Sequence, residues 1–285
     1  MYQTLKFSEK IRRVLKMYNL NDKIVFITGG ATGIGAVAVK LFLEEGAKHV
    51  TITDVNLNAG KQLEKELETK FKGRVKFVKC DVRNDEELFD IYKKIIDDHG
   101  FIDVVINNAG IMNDSPDVYR TALNVNINAL MTSTLKAREL MRTDRSGRGG
   151  IIMNISSIAA LMPNRFMPIY CAAKSAVLQF SICIGAQENY EKTGVKVMTM
   201  CYGATDTSLL SKEKIKAFDE ELSDELWEFI KQFPLQSANS AATGLIDACK
   251  RGDSGSIWLV NDNKPAEDIT PVVIKAYGLL TDLVV

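Results

Sequence analysis

The sequence predicts an α/β protein, a single doubly wound domain built around a parallel sheet of about seven strands. Short apolar runs alternate with stretches of helical length from Lys23 onward, the pattern of strand–helix–strand units. The first run, Ile24–Thr28 (IVFIT), is continuous, as a parallel strand buried on both faces requires. A length of 285 residues with 46% in the hydrophobic set suits one large domain with a full core.

After Ile24–Thr28 a helix runs to Glu45, with Gly46 in the position that ends it. Val50–Thr53 is the second strand, Ala59–Phe71 the second helix and Val75–Cys80 the third strand. Asn84 with Glu87 three residues on has the pattern of a capping pair, opening a helix that ends near Gly100. Ile102–Asn107 is strand four, followed by a long helix from Tyr119 to Met141. Ile151–Ile155 precedes a helix from Ile169 to Tyr190, and Val195–Cys201 and Ser256–Val260 complete the set. The domain covers residues 21–262, followed by a tail over 263–285 whose Ile274–Val285 stretch is apolar enough to cover a neighbouring chain or a substrate mouth. Residues 205–235 break the rhythm, with Leu222, Leu226 and Ile230 on one helical face. They follow strand six at the carboxyl edge of the sheet, so they read as a lid or as an ordinary solvated insertion.

Composition excludes several functions. The 36 basic and 36 acidic residues give zero net charge, which argues against a nucleic-acid partner. No apolar window is long enough for a transmembrane helix. Five scattered cysteines without CxxC spacing read as reduced thiols of a cytoplasmic protein. The only histidines, His49 and His99, fall beside turns, so no metal site is expected. Residues 1–20 form a basic amphipathic segment with Ile11, Val14, Leu15 and Tyr18 on one face. It reads as a surface helix, a mitochondrial transit segment or a membrane-surface contact.

The chemistry is concentrated at the carboxyl ends of the strands. Strand one runs into Thr28-Gly29-Gly30-Ala31-Thr32-Gly33-Ile34-Gly35 and then a helix. Gly29 permits a tight turn, Gly33 a close approach to a pyrophosphate and Gly35 close helix packing. The helix amides then face the phosphates. Asp54 ends strand two, 25 residues after Gly29, where a carboxylate accepts ribose hydroxyls and repels a 2′-phosphate. That favours NAD over NADP, and no Arg or Lys stands at 31, 32, 55 or 56 to offset it. Asp81 ends strand three and either touches the adenine edge or caps. Tyr170 and Lys174 lie one helical turn apart, with Ser157 thirteen residues upstream on the same sheet edge.

TGGATGIG at 28–35, NNAG at 107–110, Asn126, Ser157 and YCAAK at 170–174 together resemble the short-chain dehydrogenase/reductase family from about Asn21 to Val260. The stretch from Gly149 to Lys174 and the late GSIWLV resemble its branch of 15-hydroxyprostaglandin and insect-type alcohol dehydrogenases. The resemblance implies a Rossmann domain, NAD as cofactor, oxidation of a secondary alcohol, and a homodimer. It implies a cofactor groove formed by Gly29, Thr32, Gly33, Ile34, Asp54, Asp81, Val82, Asn108, Ala109, Gly110, Gly203, Thr205 and Thr207, together with Tyr170 and Lys174. Tyr170 is then the general base, Ser157 holds the substrate oxygen, and Lys174 supports the phenolate and the nicotinamide ribose. Asn126 holds a water in a proton relay. Moving a tyrosine from its usual pKa near 10 to neutrality takes roughly 4 kcal/mol of phenolate stabilisation.

The chain departs from the family in two places. Tyr202-Gly203 replaces the usual Pro-Gly after strand six. Met167 stands where the prostaglandin enzymes carry glutamine, so an adaptable apolar side chain replaces a polar one at the substrate position. With Leu161, Met162 and Phe166 nearby, a lipophilic alcohol or ketone is the expected substrate. An NADPH-preferring carbonyl reductase and a non-catalytic cofactor-binding scaffold are the alternatives.

Overall fold

The computed structural model describes residues 17–284. Most of the expected N-terminal amphipathic segment, including Ile11, Val14 and Leu15, therefore lies outside the described residues. Strand β1 (Ile24–Thr28) is buried along its whole length and leads into helix α1 (Gly33–Glu44). β2 (His49–Asp54), α2 (Leu57–Lys70), β3 (Val75–Lys79), α3 (Asp85–His99) and β4 (Val104–Asn107) continue the alternation. Gly46 takes φ +91°, the left-handed conformation that ends α1. Asn84 accepts hydrogen bonds from the amides of Glu86 and Glu87 at 3.1 and 3.3 Å, as the capping pattern predicts.

The next helix, α4, comprises Tyr119–Leu123, a π turn at Asn124–Ala129, and Leu130–Met141. Then follow β5 (Gly150–Ser157), α5 (Pro168–Ile184), α6 (Gln187–Thr193) and β6 (Val195–Tyr202). The helix expected over Ile169–Tyr190 is thus two helices, because the chain leaves helical geometry at Gly185 and Ala186. The remaining elements are β7 (Thr205–Asp206), α7 (Ser223–Ile230), β8 (Gln236–Ser237), α8 (Ala238–Arg251), β9 (Ile257–Val260), β10 (Glu267–Asp268) and α9 (Thr270–Thr281).

The main sheet has eight strands in the order β10-β9-β6-β5-β4-β1-β2-β3. Seven are parallel, and the two-residue β10 adds an antiparallel edge that carries no periodic signal in sequence. α1, α2 and α8 bury Phe42, Leu67 and Leu245 against one face of the sheet. α3 and α4 bury Tyr92 and Met141 against the other. β1 and β4 lie side by side while their connections run to opposite faces, which opens a crevice at their carboxyl ends. β7 and β8 pair with each other and clasp the two ends of the segment between them. The tail helix α9 rests on β9 through Ile269 and Val273, and none of its residues lines the cavities described below. No single helix among the described residues is long and apolar enough to cross a membrane.

The two histidines meet at the opposite end of the sheet, their ring centroids 4.4 Å apart. Burial, reinforced by His99, lowers the pKa of His49 from 6.5 to about 4. A group that is harder to protonate folded than unfolded contributes stability above pH 6.5 and loses it as pH falls toward 4. The melting temperature should therefore fall more steeply between pH 6.5 and 4 in the wild type than in His49→Phe, measured by scanning calorimetry.

Candidate active site

The crevice is built where β1 and β4 end. Thr28 Oγ1 accepts the amides of Asn108 and Ala109, each at 3.1 Å. Asn108 Nδ2 donates back to the carbonyls of Thr28 at 3.1 Å and Gly29 at 2.8 Å. Gly29 has φ +61°, and a Cβ there would lie 2.8 Å from the Cα of Ala109. At Gly35 a Cβ would run into the Gly29 carbonyl and the Asn108 amide. Thr32 precedes α1 without a side-chain capping bond, so the first-turn amides are left for an anion. A glycine cradle ending in an uncapped helix start fits a dinucleotide pyrophosphate.

Thr32, Gly33, Ile34, Asp54, Asp81, Val82, Asn108, Ala109, Gly110 and Thr207 all line one groove with Gly29. Asp54 is held at its rim by the amides of Ala31 (3.2 Å) and Asn56 (2.9 Å). Asp81 is engaged by the Arg83 guanidinium, which donates from Nε at 2.9 Å and holds the carboxyl below its ordinary pKa. Arg83 and Lys214 also line the groove, and the residue pattern did not single them out. Arg83 follows the acid at the end of strand three by two residues, a weak local signal; Lys214 comes from the irregular 207–235 stretch, which has none.

The wall beyond is the end of β6. Tyr202 does not disrupt it: β6 extends through Tyr202, which pairs with Ser157 on one side and Val260 on the other. A proline would have no amide for this ladder. Thr205 donates its hydroxyl to the Gly203 carbonyl at 2.9 Å, and a Cβ on Gly33 would sit 3.2 Å from the Thr207 methyl. The buried Gln236, not anticipated, ties β8 to Thr205 Oγ1 and the Val260 carbonyl, each at 3.0 Å.

Ser157, Met167, Tyr170, Lys174, Gly203 and Thr205 line a second cavity, which shares Ile34, Asn108, Gly110 and Thr207 with the groove. Lys174 is 4% exposed, and its Nζ donates to the Ile155 carbonyl at 3.0 Å and lies 5.7 Å from the centre of the Tyr170 ring. Burial pulls its pKa down to about 8. Burial pushes the Tyr170 phenol up to about 12, a rise partly offset by the neighbouring Ser157 hydroxyl. Ser157 Oγ accepts the Ala159 amide at 3.1 Å and donates to the Tyr202 carbonyl at 3.4 Å. Asn126 adjoins this set rather than lining it. Its side chain is bound at both ends to Ile111, donating to the carbonyl at 2.7 Å and accepting the amide at 2.9 Å. Gly110 lies between Asn126 and Lys174, a Cβ there falling 3.2 Å from Asn126 Oδ1 and 3.8 Å from Lys174 Nζ.

The remaining lining is mostly apolar, with Met112, Met162, Leu210, Ile230 and Phe233 prominent beside Ser156 and Asn164. Of the residues expected beside the substrate, Phe166 packs beneath α7 instead and Leu161 points outward, 40% exposed. Leu226 and Ile230 of α7 pack over Met167 and Tyr170, so the segment between β7 and β8 covers the cavity. Below the site a buried polar chain links the sheet to its helices: Ser133 to Asn107 at 2.6 Å, Asn107 to Asn154 at 2.8 Å, and Asn154 to Ser181 at 2.9 Å.

A family model described as short chain dehydrogenase matches residues 23–217. The chain belongs to the short-chain dehydrogenase family. Among its relatives, the mouse (Mus musculus) 15-hydroxyprostaglandin dehydrogenase [NAD(+)] is 32% identical over 267 residues, covering 90% of this chain and 98% of that one. Alcohol dehydrogenase 1 of Ceratitis cosyra is 33% identical over 241 residues, covering 84% and 91%. A short-chain type dehydrogenase/reductase from Mycobacterium marinum has the same fold, with a TM-score of 0.73 at 22% identity over 87% of this chain and 98% of that one.

In this short-chain dehydrogenase the cradle tolerates no side chain at Gly35. Gly35→Ala should destabilise the fold by about 1–3 kcal/mol through overpacking. It should also weaken dinucleotide binding by tenfold or more, measured by calorimetry and by fluorescence titration with the reduced cofactor.

Proposed function

We propose that the protein oxidises a lipophilic secondary alcohol to its ketone with NAD, and runs the reverse reaction when the ketone is in excess. The observation that carries this is the meeting of Tyr170, Lys174 and Ser157 in an apolar cavity that opens onto the glycine-lined groove. The names of the mouse and Ceratitis relatives, one marked NAD(+) and both denoting dehydrogenases of alcohols, support the same class.

Asp54 supports NAD. Its carboxylate at the end of β2, held by the Ala31 and Asn56 amides, would accept ribose hydroxyls and oppose a 2′-phosphate. Arg83 would favour a phosphate, but Asp81 neutralises it. The first turn of α1 and Asn108, Ala109 and Gly110 along the groove would hold the cofactor, with Gly203, Thr205 and Thr207 on the side toward Tyr170. When bound, an oxidised nicotinamide supplies the hydride acceptor and a positive charge.

Tyr170 acts as the base on the alcohol proton, and Ser157 Oγ hydrogen-bonds the substrate oxygen throughout. The resting phenol is far from ready. Bringing it from about 12 to neutrality takes about 7 kcal/mol, at about 1.4 kcal/mol per tenfold change in acidity. The Lys174 ammonium supplies part, since at neutral pH it is still charged and the interior weakens screening. Phenolate and ammonium stabilise each other, so the two groups titrate as a pair. Asn126, whose side chain is committed at both ends to Ile111, would hold the relay water. Met167 and its apolar neighbours exclude water and favour a lipophilic substrate over a polar one. The segment 205–235 acts as the lid. We carry a homodimer as part of the same reading, with the 53%-exposed Leu135 of α4 on its contact face.

Reduced-cofactor absorbance with a panel of secondary alcohols tests the assignment. Turnover should appear with NAD on lipophilic members and fall by about 10²–10⁴-fold in Tyr170→Phe. Tight NAD binding without turnover would instead support a non-catalytic scaffold. Asp54→Ala should narrow the preference for NAD over NADP by about tenfold or more, or 1.4 kcal/mol, in paired binding titrations. Light scattering at micromolar concentration should report a dimer, and monomers alone would remove it.

A further inference from the structure

α5 carries Tyr170 and Lys174, yet its own start is poorly capped. Met167 at the N-cap makes no side-chain bond, and Pro168 follows as the first helical residue. The first orphan donors are therefore the amides of Ile169 and Tyr170. Both are met by one side chain from far away. Asp114, in the loop after β4, accepts the Ile169 amide at 2.7 Å and the Tyr170 amide at 3.0 Å. Its carboxylate is 1% exposed and its partners are backbone amides. Burial raises its pKa, and the amides at the positive end of the 17-residue helix offset part of that rise.

The same residue reaches the covering segment. The Asp114 amide donates to the Lys216 carbonyl at 2.9 Å, and the adjacent Asn113 donates from Nδ2 to the Lys214 carbonyl at 2.9 Å. On the other side the Phe218 amide donates to the Phe166 carbonyl at 3.2 Å, just before α5. Ile215 and Ala217 are buried against Met167 and Tyr170. The loop after β4, the start of α5 and the cover over the cavity thus converge on one residue, whose carboxylate meets the helix start and whose main-chain amide meets the cover.

We propose that Asp114 is a positioning residue: it caps the catalytic helix in place of a local N-cap and joins that cap to the segment covering the substrate cavity, so that the base and the cover are held together. The proposal rests on the reading of Tyr170 as base. It also has an electrostatic side. The titratable groups facing Tyr170 are Lys174 and the neutral Cys171 thiol on its own helix and Asp114 from the loop, and the Asp114 charge works against the phenolate. The covering residues Ile215, Ala217, Leu226 and Ile230 carry no charge.

The test compares Asp114→Ala and Asp114→Asn with the wild-type chain in three measurements: kcat on a lipophilic secondary alcohol with NAD across pH, affinity for reduced cofactor by fluorescence, and the rate of tryptic cleavage after Lys214 and Lys216. Asp114→Ala should lower kcat by about 10²-fold, the cost of a misplaced reacting group. Cofactor affinity should stay within about threefold, and cleavage should accelerate by about tenfold or more as the cover opens. Asp114→Asn, which keeps an acceptor and loses the charge, should recover most of kcat and shift the acid limb of the pH profile to lower pH. Wild-type kcat and cleavage rates in Asp114→Ala would overturn the proposal. A parallel loss of kcat and cofactor affinity, tracking a fall in melting temperature, would also overturn it in favour of a purely structural role. If Asp114→Ala does not fold, an unmoved acid limb in Asp114→Asn overturns it. Undiminished turnover in Tyr170→Phe would remove the base assignment instead, and the cleavage rates would then decide the joining of cap and cover by themselves.

Discussion

The site depends on the seam where β1 and β4 end side by side. Thr28 Oγ1 receives two amides from the β4 end, and Asn108 Nδ2 returns two bonds to the β1 end. That exchange satisfies backbone groups that would otherwise be orphaned where both strands stop. It also brings the chains so close that Gly29 and Gly35 can carry no side chain. The cofactor cradle is therefore a consequence of the seam: glycine is needed because the backbones touch, and backbones that touch leave their amides facing the crevice. The polar chain through Asn107, Asn154 and Ser181 anchors the strands below the seam to helices α4 and α5. Buried networks of this kind stabilise only when every member is paired, which ties the position of α5 to that of the sheet.

Burial sets the chemistry above the seam. The apolar enclosure makes both a Tyr170 phenolate and a Lys174 ammonium expensive, raising the phenol and lowering the ammonium. The enclosure also strengthens every charge that enters it. Under the proposed function such a site stays quiet until a positive group arrives, which would couple proton removal to the presence of an oxidised cofactor. The protein keeps its own positive charge close but not in contact, with Lys174 anchored on the Ile155 carbonyl rather than on the phenol oxygen.

Much of this was legible in the amino-acid order, for physical reasons that can be named. Buried parallel strands must be continuous apolar runs, so β1 stood out. A helix forces residues four apart onto one face, so Tyr170 and Lys174 could be paired. Asn84 revealed its cap because capping is local. The errors have equally local causes. The break at Gly185 sits inside an otherwise helical run, where one glycine is a weak signal. Phe166 was expected beside the substrate because hydrophobicity cannot say which way a side chain turns, and α7 claims it.

The sequence by itself determined the succession of strands and helices, the glycine turn and the one-turn spacing of Tyr170 and Lys174, because each is set by contacts within a few residues. Only the tertiary structure decided the strand order, the engagement of Arg83 by Asp81 at the groove, the commitment of the Asn126 side chain to Ile111, and the capping of Tyr170 by Asp114. Asp114 and Tyr170 are 56 positions apart, and what joins them is a buried carboxylate meeting two unpaired amides. No periodicity records such a meeting, because it exists only once the sheet has brought the ends of β4 and β5 together.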